Sequence, residues 1–191
     1  MDIEMFHVSK WFDTNLVLKD FDAVFTEGQV NCLMGASGIG KTTVINLLMG
    51  LMKQDSGEIR GIEGRRIAAV FQEDRLIEHF DAIKNVRLVC DKSVTAEFVE
   101  QEFQMVGLEE YKNKPVIKMS GGMRRRVAIV RALLCESDLV IMDEPFKGMD
   151  EALKNKVIEY TRQRTKGKTV IFVTHDKDEV RLLEAKQITL D

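Results

Sequence analysis

The sequence predicts an α/β fold with a mainly parallel core sheet, an N-terminal antiparallel β region and an inserted α-helical lobe. Three patterns support this prediction. Apolar runs of strand length at residues 30–34, 139–142 and 169–173 are each followed by helical spacing, as in parallel β-α units. Apolar residues alternate over residues 3–25, which indicates hairpins. Over residues 75–118 the β character fades and helical spacing replaces it.

The N-terminal β region contains a first candidate ligand contact. Its strands break at residues 13–15 and again at 27–28. Trp11 and Phe12 fall at the first break, where an aromatic ring could stack on a nucleobase. The rings could instead fill the core of the sheet, and the sequence leaves both alternatives open.

A glycine-rich loop follows the strand at residues 30–34 and precedes a segment whose apolar residues recur at helical spacing as far as Leu51. The loop fits the pattern of a glycine, four variable residues and Gly-Lys-Thr. Its residues are Gly35, Ala36, Ser37, Gly38, Ile39, Gly40, Lys41, Thr42 and Thr43. Glycines let backbone amides approach a phosphate with no side chain in between. Lys41 is the charge expected on the β and γ phosphates, and Thr42 is the hydroxyl expected on Mg²⁺. The loop predicts a P-loop NTPase and a nucleoside triphosphate site.

Strand candidates after this helix lead to a polar residue. Gly50 is the predicted C-cap of the helix, and the strands are predicted at residues 58–60 and 66–71. The second strand delivers Gln72 to its carboxyl end, the edge at which ligands bind in open α/β sheets. Gln72 is therefore a candidate for the same site.

The inserted lobe is predicted to consist of helices. They cover residues 82–89 and 95–106, and Gly107 ends the second one. His79 has no partner at metal-ligand spacing, so we interpret it as a surface residue.

A longer helix begins after Ser120, Gly121 and Gly122. Its apolar residues repeat at intervals of four, three and four, which is typical of an amphipathic helix. Ser120 can act as the N-cap; alternatively its hydroxyl, the bare glycine amides and the helix dipole form a second anion site. The three arginines at 124–126 are predicted to form a solvated face rather than a nucleic-acid contact.

Two buried-strand runs end in polar residues. The run at 139–142 ends in Asp143 and Glu144, and the run at 169–173 is followed by Thr174 and His175. Beside a phosphate loop, Asp143 can hold the Mg²⁺ shell, and Glu144 can polarise the water that attacks the γ-phosphorus. His175 could reach the γ-phosphate from the same layer, although a lone histidine is more often a capping or surface group.

The C-terminal part completes the α/β pattern. A helix is predicted over residues 151–164, with a turn at 166–168 before the strand at 169–173. A short helix over 176–184 and a last strand over 187–190 follow.

Bulk composition argues against several classes of protein. The 191 residues suffice for one domain, and the net charge of −3 argues against a general nucleic-acid binder. Cys32, Cys90 and Cys135 are isolated, so neither a disulfide framework nor a zinc site is expected. Because there is no signal-like N-terminus and no run of about 18 apolar residues, we expect a chain that is neither secreted nor membrane-spanning by itself.

In this order, the motifs resemble those of the ATP-binding subunit of ATP-binding cassette (ABC) transporters over essentially the whole chain. The matching segments are Gly35 to Thr42 (Walker A), Gln72 (Q-loop), Met119 to Met123 (signature motif), Leu139 to Asp143 with Glu144 (Walker B), Gly148 to Asp150 (D-loop) and His175 (switch histidine). Phe12, two residues after Lys10, matches the aromatic residue that stacks on adenine, with Trp11 as a substitute. Met123 replaces the usual glutamine and Met149 the usual leucine; because the adjacent glycines and carboxylates are intact, we expect hydrolysis to be retained.

The resemblance implies an ATPase that converts ATP and water to ADP and phosphate, with Mg²⁺ as cofactor. It implies that Glu144 is the general base, that His175 senses the γ-phosphate, and that Lys41 with the loop amides holds the phosphates. Thr42, Gln72 and Asp143 are the implied residues around the metal.

The resemblance also implies partners. Two cassettes, identical or paired, would meet head to tail, so that ATP held by Lys41 of one is closed over by the other's Ser120, Gly121 and Gly122. The Gln72 loop and the inserted lobe would contact integral membrane permease subunits, with a solute-binding protein as a further partner and no nucleic acid. The chain would be one domain, with a catalytic lobe at 1–74 and 136–191 and a helical lobe at 75–135, peripheral on the cytoplasmic face of the membrane.

Within the family, the residues from Val70 to Glu73 with Arg75 and Leu76, and those from Ser120 to Arg124, look most like importers of nitrate, sulfonates, taurine and related small solutes. The alternative is a soluble ABC-type ATPase acting on DNA or the ribosome. Lys41 and Ser120 are 79 positions apart, which leaves room for a small helical lobe but not for the long coiled coils of chromosome and repair ATPases. A P-loop kinase would not need Ser120 or Glu144, and a scaffold without turnover would tolerate loss of Glu144.

Overall fold

The chain alternates strands and helices in a computed structural model that describes residues 1–109, 111–112 and 114–191. In the described residues the elements are β1 (Ile3–Phe12), β2 (Asn15–Phe25), β3 (Val30–Met34), α1 (Lys41–Leu48), β4 (Ser56–Arg60), β5 (Ile67–Val70), α2 (Ala82–Arg87), α3 (Ala96–Met105), a 3₁₀ turn (Val116–Lys118), α4 (Gly121–Leu134), β6 (Leu139–Asp143), α5 (Glu151–Arg164), β7 (Thr169–Val173), α6 (Lys177–Leu182) and β8 (Lys186–Thr189). This confirms the predicted α/β class.

The predicted hairpin region is a three-stranded antiparallel sheet. Its strand order is β2-β1-β4, and Ile3 pairs with Phe25 at one end of the hairpin while Phe12 pairs with Asn15 at the other. The register of β1 shifts at several points along β2, which is typical of β-bulges. The sheet buries one face, including Ile3, Met5 and Phe25.

The core sheet is parallel, with the order β5-β6-β7-β3-β8. Every residue of β6 and β7 is buried, as expected for strands that are covered on both faces. Because the strands are parallel, the segments after β3, β5, β6 and β7 emerge at one edge. This edge therefore collects the phosphate loop, Gln72, Glu144 and the Thr174–His175 segment.

Two buried clusters cover the faces of the core sheet. One combines Val140, Met142 and Phe172 of the strands with residues from α2 to α5, including Val99 and Phe103 of α3. The other packs β6, β7 and α1 against the antiparallel sheet. The inserted helices therefore share their buried cluster with the core sheet.

Helix ends follow local capping chemistry. Thr95, Ser120 and Asp150 cap α3, α4 and α5 with their side chains, and α5 has the predicted bounds. After α1, Gly50 adopts φ +68, and the amides of Gly50 and Leu51 bond to the carbonyls of Leu47 and Asn46, which makes a Schellman motif.

Differences from the predicted elements are small. α1 ends at Leu48, so Leu51 lies outside the helix and is exposed. β8 begins one residue before the predicted strand and ends at Thr189. None of the described helices is both long and apolar enough to cross a membrane.

Candidate active site

A cleft of about 310 Å³ lies at the carboxyl edge of the parallel sheet. The structure brings to it the phosphate loop, Gln72 from the end of β5, and Asp143 and Glu144 from the end of β6. Its lining residues are Val17, Ser37, Gly38, Gly40, Lys41, Thr42, Thr43, Gln72, Asp143, Glu144, Lys147 and Val173. Gly35, Ala36 and Ile39 belong to the same loop but do not line the cleft.

The phosphate loop has the backbone that its glycines predict. Gly40 immediately precedes α1 at φ +115, and a Cβ there would meet Leu18 and Val17 at 3.0 to 3.2 Å, so the position requires glycine. The ammonium of Lys41 donates to the carbonyls of Gly35 and Ala36, each at 2.7 Å. These bonds hold its charge at the mouth of the loop, beside the helix N-terminus that favours anions.

The Thr42 hydroxyl and the Asp143 carboxylate form an oxygen pair in the cleft. Oγ1 of Thr42 donates to Oδ2 of Asp143 at 3.2 Å. Burial raises the pKa of Asp143, whereas the Thr42 hydrogen bond and the charges of Arg125 and Lys41 lower it. The pKa is nevertheless raised overall, because burial outweighs the opposing contacts.

The donor set fits Mg²⁺. Thr42, Asp143 and Gln72 offer hydroxyl, carboxylate and amide oxygens, the ligands that this hard cation prefers. The part of the chain that the structure describes holds no group of three His, Cys, Asp or Glu residues that could bind a metal. Magnesium typically takes only one or two carboxylates and completes its shell with phosphate oxygens and water.

Glu144 has an unusual backbone. Its φ is +44, which costs a residue with a Cβ about 1–3 kcal/mol. Its amide donates to the carbonyl of Val173 at 3.0 Å, so the turn remains attached to β7. The carboxylate lines both the nucleotide cleft and a second cleft of about 180 Å³ beside it.

Two basic side chains contact the Glu144 carboxylate. Nζ of Lys147 donates to Oε2 at 2.7 Å, and Nδ1 of His175 lies 3.5 Å from Oε1. The hydrogen bond from Lys147 is the main cause that lowers the pKa of Glu144, with His175 contributing less and burial opposing both. The Glu144 carboxylate therefore stays ionised to a lower pH than an isolated glutamate would.

His175 follows β7 and lines the second cleft rather than the first. Its side chain is mostly exposed, and its neighbour there is Glu144. The structure thus places the predicted switch histidine beside the predicted base; its role toward a γ-phosphate stays a prediction.

Ser120, Gly121 and Gly122 lie outside both clefts. Oγ of Ser120 accepts a hydrogen bond from the Met123 amide at 3.3 Å, so the predicted N-cap is confirmed. A Cβ added to either glycine would meet nothing within 4 Å. There is therefore free space beside the α-carbons of both glycines at the start of α4.

Trp11 and Phe12 end β1 with exposed rings. Their exposed fractions are 47% and 44%, so the alternative in which they fill the core of the sheet is wrong. Lys10 lies 5.8 Å from the centroid of the Phe12 ring, and the Trp11 amide donates to Asp55. Neither ring lines the cleft, and stacking on a base stays a prediction.

The prediction of a solvated arginine face on α4 is wrong for Arg125. Its side chain is 7% exposed, and it donates to the carbonyls of Phe71, Gln72 and Glu144. The sequence did contain a signal, since Ala128, Ile129 and Ala132 follow Arg125 at helical spacing and are all buried.

Comparisons with known proteins all match this chain to ABC transporter cassettes. A family model described as ABC transporter matches residues 18–147. The dimeric structure of MJ0796, a bacterial ABC transporter cassette, matches with a TM-score of 0.86 and 27% identity, covering 98% of this chain and 94% of that chain. A dimeric structure of a post-hydrolysis state of the ATP-binding cassette MJ0796, bound to ADP and Pi, matches with the same TM-score and identity, covering 99% and 94%.

Proposed function

Because this chain belongs to the ABC transporter family and is an ABC-type ATPase, we propose that it is the ATP-hydrolysing subunit of a membrane importer for a small solute. The observation that carries the proposal is the convergence of Lys41, Thr42, Asp143 and Glu144 on one cleft, within a chain whose family is that of transporters.

The proposed ligand of the cleft is ATP with Mg²⁺. Lys41 and the amides of residues 35–43 bind the β and γ phosphates, and Thr42, Asp143 and Gln72 hold the metal. When bound, Mg²⁺ neutralises phosphate charge and orients the γ-phosphoryl group. Phe12, or Trp11 in its place, stacks on the adenine ring.

Glu144 is the proposed general base. Its ionised carboxylate takes a proton from the water whose oxygen attacks the γ-phosphorus, and the bond from that phosphorus to the ADP oxygen breaks. Lys147 lowers the pKa of the carboxylate and holds one of its oxygens, and His175 lies beside the other oxygen, from which it can sense the γ-phosphate. Glu144→Gln lacks the base and should lose at least about 100-fold in kcat while ATP binding is retained.

The proposed active assembly is a head-to-tail pair of cassettes. Ser120 caps the N-terminus of α4, there is free space beside Gly121 and Gly122, and none of the three lines the cleft of its own chain. Such a feature suits closure over a nucleotide held by another cassette. The dimeric state of the similar cassette MJ0796 supports this pairing.

A surface beside β5 supports the proposed permease contact. An apolar cleft of about 340 Å³ includes Leu51, Ala69, Phe71 and Val89 and lies next to the segment that carries Gln72. Leu88 is 61% exposed at the same end of α2. Exposed apolar patches of this kind mark interaction sites. We propose that permease subunits dock here, which places the chain on the cytoplasmic face of the membrane, with a solute-binding protein as a further partner.

The test uses Glu144→Gln protein isolated from gently solubilised native membranes with ATP and Mg²⁺ present. Lys41→Ala, which should hold ATP poorly, is the matched control, and co-purifying proteins are identified by mass spectrometry. The proposal predicts that a polytopic membrane protein co-purifies, and that more of it is recovered with Glu144→Gln than with Lys41→Ala. Recovery of ribosomal or DNA-bound proteins instead would replace the transporter with a soluble ATPase. The identity of a co-purifying solute-binding protein would test the preference for nitrate, sulfonate or taurine.

A further inference from the structure

The side chain of Arg125 joins the ends of two neighbouring strands. β5 and β6 pair in parallel register as far as Val70 and Met142, and their ladder ends there. Two positions further along each strand are Gln72 and Glu144. Nη2 of Arg125 donates to the carbonyls of both, at 3.1 Å and 3.3 Å.

The guanidinium group is suited to this position. Its Nη1 donates to the carbonyl of Phe71, and the same nitrogen lies 3.4 Å from Oδ1 of Asp74. Arginine offers several donors in a rigid planar fork and no acceptor, so one side chain can bridge carbonyls from two chain segments. A lysine has a single nitrogen on a flexible stem and cannot reproduce the fork.

The other three arginines of α4 do not have this arrangement within the described residues. Arg124 donates to the carbonyl of Met119, and its Nε lies 3.8 Å from Asp74. Arg131 donates to the carbonyls of Asp74 and Arg75, so it contacts only the segment after β5. Arg126 donates to the carbonyls of Gly107 and Gly122 and to neither Gln72 nor Glu144. Arg125 is the arginine of α4 that reaches both Gln72 and Glu144.

We propose that Arg125 is a positioning residue for ATP hydrolysis, fixing the Gln72 and Glu144 segments relative to each other at the carboxyl edge of the sheet. This inference rests on the proposed roles of Gln72 and Glu144. The Glu144 segment has a strained turn that needs support, and its carbonyl otherwise accepts only a 3.3 Å bond from the Lys147 amide among the backbone bonds of the described residues. Arg125 acts through these two residues and does not touch the substrate.

The first measurement is hydrogen–deuterium exchange of nucleotide-free Arg125→Gln, Arg125→Lys and wild-type protein. Arg125→Gln should exchange faster in both segments, residues 71–74 and 143–147, and Arg125→Lys should fall between. Arg131→Gln is the matched control: it should loosen residues 74–75 while residues 143–147 exchange as in the wild type. Unchanged exchange at 143–147 in a folded Arg125→Gln protein would overturn the proposal.

The second measurement separates positioning from a general structural role. Arg125→Gln should lower kcat by about 10- to 100-fold, since small misplacements of catalytic groups have effects of this size. Its KM for ATP should rise less than its kcat falls, because the phosphate loop and Thr42 are untouched and Gln72 is displaced rather than removed. Arg125→Lys should recover part of kcat. A rise in KM with unchanged kcat would contradict the proposal.

The variant Glu144→Gln distinguishes this inference from the proposed function. If Arg125 acts through Gln72 and Glu144, adding Arg125→Gln to protein that already carries Gln72→Ala and Glu144→Gln should change the residual single-turnover rate by less than about threefold. A multiplied loss would overturn the positioning role and leave Glu144 as the base. If Glu144→Gln hydrolyses ATP like the wild type, the proposed base is wrong, and a loss in Arg125→Gln alone then rules out action through Glu144.

Discussion

The hydroxyl of Thr42 lies 3.2 Å from Oδ2 of Asp143, although the two residues are 101 positions apart. The strand order β6-β7-β3 creates this contact, because it places the helix after β3 close to the end of β6. Two oxygen atoms from separate elements thereby lie side by side in the cleft, and both belong to the ligand set that we propose for Mg²⁺.

We therefore expect Thr42→Val to impair metal-dependent binding. Valine keeps the shape of threonine but has no hydroxyl, so the proposed set of oxygen ligands for the metal loses one member. The Kd for ATP with Mg²⁺ should rise about 10- to 100-fold in isothermal titration calorimetry. With excess EDTA the change should be less than about twofold, and Thr42→Ser should resemble the wild type. Equal losses with and without Mg²⁺ would contradict a metal role for Thr42.

Lys147 should determine the acid side of the pH profile. Its hydrogen bond is the main cause that lowers the pKa of Glu144, so Lys147→Met should raise that pKa. A base with a higher pKa is protonated at a higher pH, so the acid limb of kcat should move upward. Steady-state ATPase assays from pH 4.5 to about 8 would measure the shift.

A control variant makes the pH result specific. Lys154→Met removes a lysine that pairs with Asp176 in the second cleft and does not contact Glu144, so it should leave the acid limb in place. An acid limb that stays unchanged in Lys147→Met would mean that a group other than Glu144 sets it.

Much of the fold was predictable because it depends on local chemistry. Asp150 caps α5 with its own side chain, and the helix begins at the predicted residue. The phosphate loop carries its function in consecutive residues, so its strand, turn and helix could be read directly. Gly50 ends α1 in a motif that glycine favours.

The unpredicted features depend on contacts between distant segments. The burial of Arg125 arises from the packing of α4 against β5. The run of three consecutive arginines, to which Arg125 belongs, predicted a solvated face instead. The positive φ of Glu144 is imposed by its surroundings, since a glutamate does not favour it. The sequence did not predict a role for Lys147, because its contact with Glu144 depends on the turn that the positive φ of Glu144 creates.

The exposed aromatic pair allows the two stacking alternatives to be separated. If Phe12 stacks on adenine, Phe12→Ala should weaken ATP binding about 5- to 100-fold, since stacking of a base on an aromatic ring contributes about 1–3 kcal/mol. Trp11→Ala should then have little effect. Trp11 is the only tryptophan of the chain, so its fluorescence can follow binding in the Phe12→Ala variant. The reverse pattern, with the loss in Trp11→Ala, would make Trp11 the stacking residue.

A buried carboxylate between α3 and α5 should contribute measurably to stability. Glu102 is almost fully buried, and its Oε2 accepts a hydrogen bond from the Tyr160 hydroxyl at 2.7 Å, while Arg164 donates to Oε1. Tyr160→Phe removes one donor from this carboxylate and should lower the free energy of unfolding by about 1–3 kcal/mol in urea denaturation. Arg162→Gln, which breaks a surface pair with Glu159 on the same helix, should cost at most about 0.5 kcal/mol. If Tyr160→Phe were as stable as the wild type, the hydrogen bond of the Tyr160 hydroxyl would only offset the cost of burying that hydroxyl. Arg164 alone would then satisfy the Glu102 carboxylate.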